Sequence, residues 1–170
     1  MHAMDTKQAA SRSQDKQAAL SKSALLHLDN QLCFALYSAS LTMTKVYKPM
    51  LKELGLTYPQ YLVLLVLWER DDVTVSELGA RLFLDSGTLT PLLKRMEGMG
   101  LLQRQRSSED ERQVLVTLTG AGRELRRKAL PVPEKLLEAS QCALPEIGSL
   151  TKRLHKLRGA LAENVEEAVA

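Results

Sequence analysis

The chain has 170 residues, with 23 Lys and Arg against 20 Asp and Glu, a formal net charge of +3, and only 4% aromatic residues. That length suits one domain with a buried core, and the mild basicity is compatible with a nucleic acid partner without demanding one. No apolar run is long enough to span a bilayer and no secretory signal pattern is present, so the reading is a cytoplasmic protein with no membrane partner, whose two cysteines are free or redox-active rather than a structural staple.

Residues 1–24 are rich in Ser, Gln, Lys and Ala, with almost no large apolar groups, and are expected to form a flexible arm. Asp5 and Asp15 offset several of its cations, so it is given no role in binding. Residues 25–57 are read as a dimerisation helix and linker. From Leu28 the pattern is helical, with Asp29 or Asn30 as the cap and Leu32, Leu36, Ala39, Met43 and Val46 as an apolar stripe, until Pro49 interrupts it. A short segment, Met50 to Leu54, then leads to Gly55.

Residues 58–119 are read as a DNA-binding region. Thr57 with Gln60 forms a capping box that opens an apolar helix, Tyr61 to Trp68, ended by Asp71 and Asp72 and expected at the buried centre. Next comes TVSELGARLFLDSGTLTPLLKRMEGMGLLQRQRSSEDERQVLVTLT, Thr74 to Thr119, which reads as two short helices, a tight turn and a hairpin. Thr74 with Glu77 is a second capping box, after which Val75, Leu78, Leu82 and Phe83 share one face.

Asp85 is a good N-cap for a second helix carrying Leu89, Leu92, Leu93, Met96 and Met99, which leaves Ser86, Thr88, Thr90, Lys94 and Arg95 on the outer side. Small hydroxyl residues mixed with cations suit the major groove, where they meet base edges and phosphates. Pro91 admits two readings: it lies inside a helix capped by Asp85, or Thr90 caps a helix that begins at Pro91.

Gly98 and Gly100 end that helix, and Leu101 to Arg106 and Gln113 to Leu118 alternate as paired strands. The tip between them, SSEDER, is nearly neutral: Arg104, Arg106 and Arg112 stand beside Glu109, Asp110 and Glu111. A contact between Asp110 and Arg112 would brace this loop and present an arginine to the narrow minor groove.

Residues 120–170 are read as C-terminal dimerisation helices. Thr119 caps a helix bearing Leu125, Ala129 and the cations Arg123, Arg126, Arg127 and Lys128; Pro131 and Pro133 disturb it, and Lys135 to Ala143 resumes. After Pro145 a last helix carries Ile147, Leu150, Leu154, Leu157, Leu161 and Val165, a seam of threes and fours longer than one small domain needs for itself. The fold class is therefore mainly α (α+β): a winged helix-turn-helix whose terminal helices dimerise.

The run DERQVLVTLTGAG, with Asp110, Arg112, Leu118, Thr119 and Gly122, resembles the wing signature of the MarR family of dimeric bacterial transcription regulators. The run LDNQLCFALYSASLTMTKVYKPMLKELGLTYPQYLVLLVLWE narrows this, for it resembles the organic hydroperoxide sensing (OhrR) branch of that family, over about Leu28 to Ala129. The resemblance implies that Cys33 is the peroxide-reactive residue and that Tyr47 and Tyr58 are the phenols that hold its thiolate from the other subunit. A position near a helix N-terminus and phenol O–H groups both favour a thiolate. In two-cysteine members of the branch a resolving thiol lies in the C-terminal helical region, which implies that role for Cys142; the alternative is a small external thiol that caps Cys33.

These residues imply a homodimeric repressor, without a cofactor, that holds double-stranded operator DNA while Cys33 is reduced and releases it after oxidation by an organic hydroperoxide. Two other readings stand beside it. One is a regulator of the same family released by a small aromatic ligand. The other is a thiol peroxidase, although no cofactor fingerprint is present and His2, His27 and His155 are scattered, so the expectation is neither an enzyme nor a metal site.

Overall fold

The computed structural model describes residues 24–108 and 110–169, with side chains to residue 165. The expected N-terminal arm, apart from Ala24, and Glu109 of the wing tip lie outside the described residues. The chain divides into two compact units, Met1–Lys45 and Val46–Ala170.

In the first unit, two 3-10 turns, Ala24–Leu26 and Leu28–Asn30, precede the opening turns of helix α1, Leu32–Glu53. The cap expected at Asp29 or Asn30 is not formed. The Asn30 side chain instead donates to the Ala24 carbonyl at 2.8 Å, which closes the 3-10 turns and delays the helix to Leu32. Ser38 and Thr42 bond back to the carbonyls of Phe34 and Ser38. Leu32, Leu36 and Met43 of the expected stripe are exposed.

The second unit begins inside α1. Pro49 does not interrupt that helix, which continues to Glu53, because a proline removes only its own N–H and the next two residues, Met50 and Leu51, are buried in the core and hold the last turns in place. Gly55 ends it with φ of +70°, a left-handed conformation that lets the Leu56 N–H return to the Leu51 carbonyl at 2.9 Å. The Thr57 N–H then donates to Gln60 Oε1 at 2.8 Å and opens α2, Tyr58–Glu69. This helix is apolar almost all round and central, with Tyr61, Val63, Leu64, Val66 and Leu67 buried.

The sheet has three antiparallel strands rather than the two expected: β1, Val73–Thr74, β2, Leu102–Arg106, and β3, Val114–Leu118, in the order β1-β3-β2. Val73 pairs with Val116, and Leu102 to Arg106 run against Leu118 to Val114. A two-residue strand is too short to show alternation in sequence. Between β1 and β2 lie α3, Val75–Leu82, and α4, Ser86–Gly98. The Thr74 and Glu77 capping box forms, with the Thr74 N–H on Glu77 Oε2 and the Glu77 N–H on Thr74 Oγ1.

Phe83 does not share the buried face of α3. It is the C-cap residue, with φ of 56°, so its ring leaves the helix face and is 65% exposed, under the guanidinium of Arg158 at 4.4 Å. Met99 likewise falls just past the end of α4 and is exposed rather than continuing the buried series.

After the wing come α5, Gly120–Ala129, α6, Pro131–Ser140, and α7, Leu144–Val169. Thr119 caps α5 by accepting the Gly122 N–H. Pro131 and Pro133 occupy the first turn of α6 instead of breaking it, since N-terminal helix positions need no N–H donor. The segment expected over Lys135 to Ala143 thus starts earlier and stops at Ser140. Along α7, Leu150, Leu161 and Val165 stay exposed. None of the described helices is long and apolar enough to cross a membrane.

Candidate nucleic-acid interface and thiol groups

Asp85 decides between the two readings of Pro91. Its Oδ1 accepts the Thr88 N–H at 2.9 Å and its Oδ2 accepts the Thr88 hydroxyl at 2.8 Å, so the helix begins at Ser86 and carries Pro91 inside it. The Thr88 N–H and then its hydroxyl hold the Asp85 carboxyl below its ordinary range, so the cap stays charged at the positive end of the helix. Leu89, Leu92, Leu93 and Met96 are buried. Ser86, Lys94 and Arg95 are exposed and Thr90 is half-buried on the opposite side, while the Thr88 hydroxyl is already committed to the cap.

The wing tip is closed by Asp110. Its Oδ1 accepts the backbone N–H of Arg112 at 3.0 Å, its Oδ2 accepts Gln113 Nε2 at 3.2 Å, and its carbonyl accepts the Gln113 N–H. The contact between Asp110 and Arg112 therefore runs through the main chain, and the exposed Arg112 guanidinium is not consumed by it.

Arg104, expected among the DNA-facing cations, is paired with a carboxylate. Its Nε and Nη2 donate to Glu97 Oε2 at 3.0 and 2.6 Å, and its backbone N–H donates to Glu97 Oε1 at 3.0 Å. Only 22% of its side chain is exposed. The guanidinium first, then the backbone N–H, hold the Glu97 carboxyl below its usual range. Sequence reading overlooked Glu97 because spacing alone does not tell which carboxylate an arginine meets across a turn.

A second connection that local sequence does not show runs from Asp71, beyond its part in ending the helix. It accepts the Leu118 N–H and the Arg123 guanidinium, which ties the end of α2 to β3 and α5. Nearby, Trp68 Nε1 donates to the Gly122 carbonyl at 2.9 Å.

Tyr47 and Tyr58 are brought together, with ring centroids 4.8 Å apart, and Tyr61 lies 5.9 Å from Tyr47. Burial first, then the neighbouring Tyr58 and Tyr61, push the Tyr47 phenol up to about 12. Burial also raises Tyr58. Both phenols therefore keep their O–H protons at neutral pH and remain hydrogen-bond donors. Tyr61, a buried residue of the apolar helix, belongs to the same cluster, which its place in that apolar run does not reveal.

Cys33 sits in the first turn of α1, in the first unit, and is exposed. Cys142 is in the second unit, half-buried in the turn between α6 and α7, where its N–H donates to Ser140 Oγ and the preceding Gln141 has φ of 53°. Both thiols are free. Among the described residues, no group of three or more His, Cys, Asp or Glu is placed to hold a metal ion.

Against this geometry the comparisons are consistent. The profile of the transcriptional regulator SarA/Rot family matches residues 45–128. The organic hydroperoxide resistance transcriptional regulator of Bacillus subtilis (strain 168) is 52% identical over 132 residues, 78% of this chain and 90% of the relative. Among solved structures, reduced AbfR bound to DNA, a protein of Staphylococcus epidermidis, is 40% identical with a TM-score of 0.65, covering 80% of this chain and 96% of that one. The disulfide form of AbfR is 34% identical with a TM-score of 0.56, covering 92% and 99%. With more than half of the aligned residues shared over nine-tenths of a curated relative, and with the same winged helix-turn-helix, this chain belongs to the MarR family of transcription regulators, in the branch of the organic hydroperoxide resistance regulators.

Proposed function

We propose that this protein is a homodimeric, redox-sensing repressor that binds a palindromic operator in the cytoplasm while Cys33 is reduced and releases it when an organic hydroperoxide oxidises that cysteine. The observation that carries this reading is an exposed Cys33, in a helical first turn, in a chain 52% identical to an organic hydroperoxide resistance regulator. The Cys33 thiolate attacks the outer, hydrogen-bearing peroxide oxygen, the O–O bond breaks, the sulfur becomes a sulfenic acid, and the departing alkoxide takes a proton from water and leaves as the alcohol. Cys142 of the partner then supplies a thiol, an S–S bond forms and water leaves. The protonated phenols of Tyr47 and Tyr58, contributed by the other subunit, steady the thiolate beforehand.

Release follows from geometry. Two recognition helices fit successive major grooves only at a separation of about 34 Å, so a small change at the dimer seam spoils both contacts together. The test measures binding to a duplex that the reduced protein itself enriches from a random-sequence pool, before and after one equivalent of cumene hydroperoxide. Loss of binding that a dithiol reductant restores supports the reading, and binding unchanged by oxidation overturns it. One equivalent should suffice, since a sensor consumes peroxide stoichiometrically, whereas continuous turnover with a thiol reductant would mark a peroxidase.

A second reading rests on a separate observation. Tyr61, Leu65, Trp68, Glu69, Arg126, Ala129, Leu130 and Pro133 line an open cleft of about 190 Å³, whose aromatic walls, with one cation and one carboxylate, suit a small aromatic ligand. Release of the duplex by a phenolic acid under anaerobic conditions would favour ligand control over oxidation.

A further inference from the structure

We propose that Glu97 and Arg104 are a positioning pair for DNA recognition, a strut that fixes the angle between the recognition helix α4 and the wing, and that Arg104 is not itself a phosphate ligand. This rests on the DNA-binding reading above. Glu97 is in the last turn of α4 and Arg104 is in the middle of β2, an edge strand of the sheet. Between them α4 ends at Gly98 and the chain turns through Met99, Gly100 at φ of +70°, and Leu101 into β2. The Met99, Gly100 and Leu101 N–H groups return to the carbonyls of Arg95, Glu97 and Met96 and shape this turn. The Glu97 carboxylate adds a hold further along the strand, because one oxygen holds the strand's backbone N–H and the other holds two guanidinium nitrogens, three bonds that fix both position and rotation.

Of the ion pairs among the described residues this is the most shielded, with side chains 22% and 36% exposed. The pairs Arg81–Glu69 and Arg127–Glu124 are more than half exposed on both sides and contribute little. The strut joins the two elements that face different grooves: α4 with Ser86, Lys94 and Arg95, and the wing tip with Arg112. Once α4 docks, a wing held at a fixed angle presents Arg112 at a high effective concentration to its own groove, and a loose wing must pay that ordering cost on binding.

The two roles predict opposite signs. Removing a carboxylate from a DNA-facing surface should strengthen binding to a polyanion on charge grounds alone. Loss of a strut should weaken it. The experiment uses the full chain and the in vitro selected duplex over a salt series, with Glu97→Gln, Arg104→Gln, Arg104→Lys and the Glu97→Gln/Arg104→Gln double variant. Positioning predicts that each single variant loses about tenfold in affinity, that the double loses no more than the worse single, and that the salt slope is unchanged, since coupled residues are not additive. Arg104→Lys should also lose affinity, because an ammonium keeps the charge but not the fork. In an Arg112→Ala background Glu97→Gln should cost little.

A readout without DNA accompanies these. Hydrogen exchange at the Arg104 amide should accelerate in Glu97→Gln by more than at amides of the central helix α2, so the effect is local and exceeds any general loss of stability. Tighter or unchanged binding by Glu97→Gln, or a slope flattened by about one in Arg104→Gln with full activity in Arg104→Lys, overturns the proposal and makes Arg104 a phosphate contact. Failure of the wild type to enrich any duplex would instead sink the DNA-binding reading itself.

Discussion

Leu118 and Asp71, 47 positions apart in sequence, are joined by a hydrogen bond from the Leu118 N–H to Asp71 Oδ1 at 2.9 Å. The other carboxylate oxygen takes the Arg123 guanidinium at 2.8 Å, so one side chain fastens the end of the central helix to the base of the wing and to α5. Burial opposes ionisation of Asp71, but the Leu118 N–H, the Arg123 guanidinium and the Asp72 N–H outweigh it and lower its carboxyl below the ordinary carboxylate value.

A folded-state value below the unfolded one means that the stabilisation is present above the unfolded value and is lost as pH falls through the folded one. Asp71→Asn should therefore cost about 1–2 kcal/mol at neutral pH, the usual loss for a charge-assisted hydrogen bond. The gap between variant and wild type should narrow as pH falls below about 4. Urea unfolding at a series of pH values measures this, and a gap that stays constant would remove the ionised carboxylate from the account.

Gly122 is the tightest backbone approach among the described glycines. A Cβ there would lie 2.1 Å from the Leu101 carbonyl oxygen and 3.0 Å from Leu118 Cδ2, so the α5 N-terminus and the wing base could not both keep their places. Gly122→Ala should lose roughly 2 kcal/mol or more. Gly98→Ala, where nothing lies within 4 Å, should be neutral or gain up to about 1 kcal/mol as a helix former replaces glycine. Thermal unfolding of the two variants side by side checks the contrast.

The features legible in the sequence are those set by neighbours along the chain. The capping boxes at Thr57 and Thr74, the Asp85 and Thr119 caps, and the strands on either side of the wing tip are local patterns with a local physical cause, and the structure has them where the residues indicated. What stayed hidden depends on tertiary contacts. Pro49 looks like a breaker until Met50 and Leu51 are seen anchored in the core, and Phe83 looks like a core residue until the backbone turns left-handed beneath it. The pairing of Arg104 with Glu97 is hidden in the same way, since spacing does not tell which carboxylate an arginine reaches across a turn.

Arg95 and Arg112, both exposed at the expected interface, should behave as contacts. Arg95→Ala should weaken duplex binding and flatten the salt slope by about one, the loss of one phosphate neutralisation. Arg112→Ala should weaken it too, and less so on a duplex whose wing site is G·C-rich with a wide minor groove. Fluorescence anisotropy over a salt series, with circular dichroism to show both variants folded, makes the measurement. Unchanged affinity for both would remove α4 and the wing from the DNA surface.

For the sensor, Cys33→Ser should bind the duplex and stay bound in peroxide, because a hydroxyl is not oxidised as a thiolate is. Tyr47→Phe and Tyr58→Phe should each slow release in peroxide by up to about tenfold, the loss of one hydrogen bond to an anion. Tyr47 should also ionise only near pH 12, so its replacement should remove a strongly alkaline phase from the ultraviolet titration. Peroxide-driven release that persists in Cys33→Ser would place the sensing group elsewhere.

The fate of the oxidised sulfur is settled by comparing wild type with Cys142→Ser on a non-reducing gel after peroxide. Cys142 is half-buried in the turn between α6 and α7, where its N–H donates to Ser140 Oγ at 3.3 Å. A thiol in a turn can move toward a partner's sulfenic acid with less disruption than one inside a helix, where the backbone ladder would have to open. The bond is proposed to join two chains, so wild type should give a reducible dimer band and Cys142→Ser none. The variant should still form the sulfenic acid, and with no resolving thiol it should drift to the irreversible sulfinic form, seen as a mass gain of two oxygens on one chain. A crosslink that survives in Cys142→Ser would exclude Cys142 as the partner. A wild type that runs as a monomer while losing DNA would point to a mixed disulfide with a small external thiol, and intact mass measurement would show the adduct on a single chain.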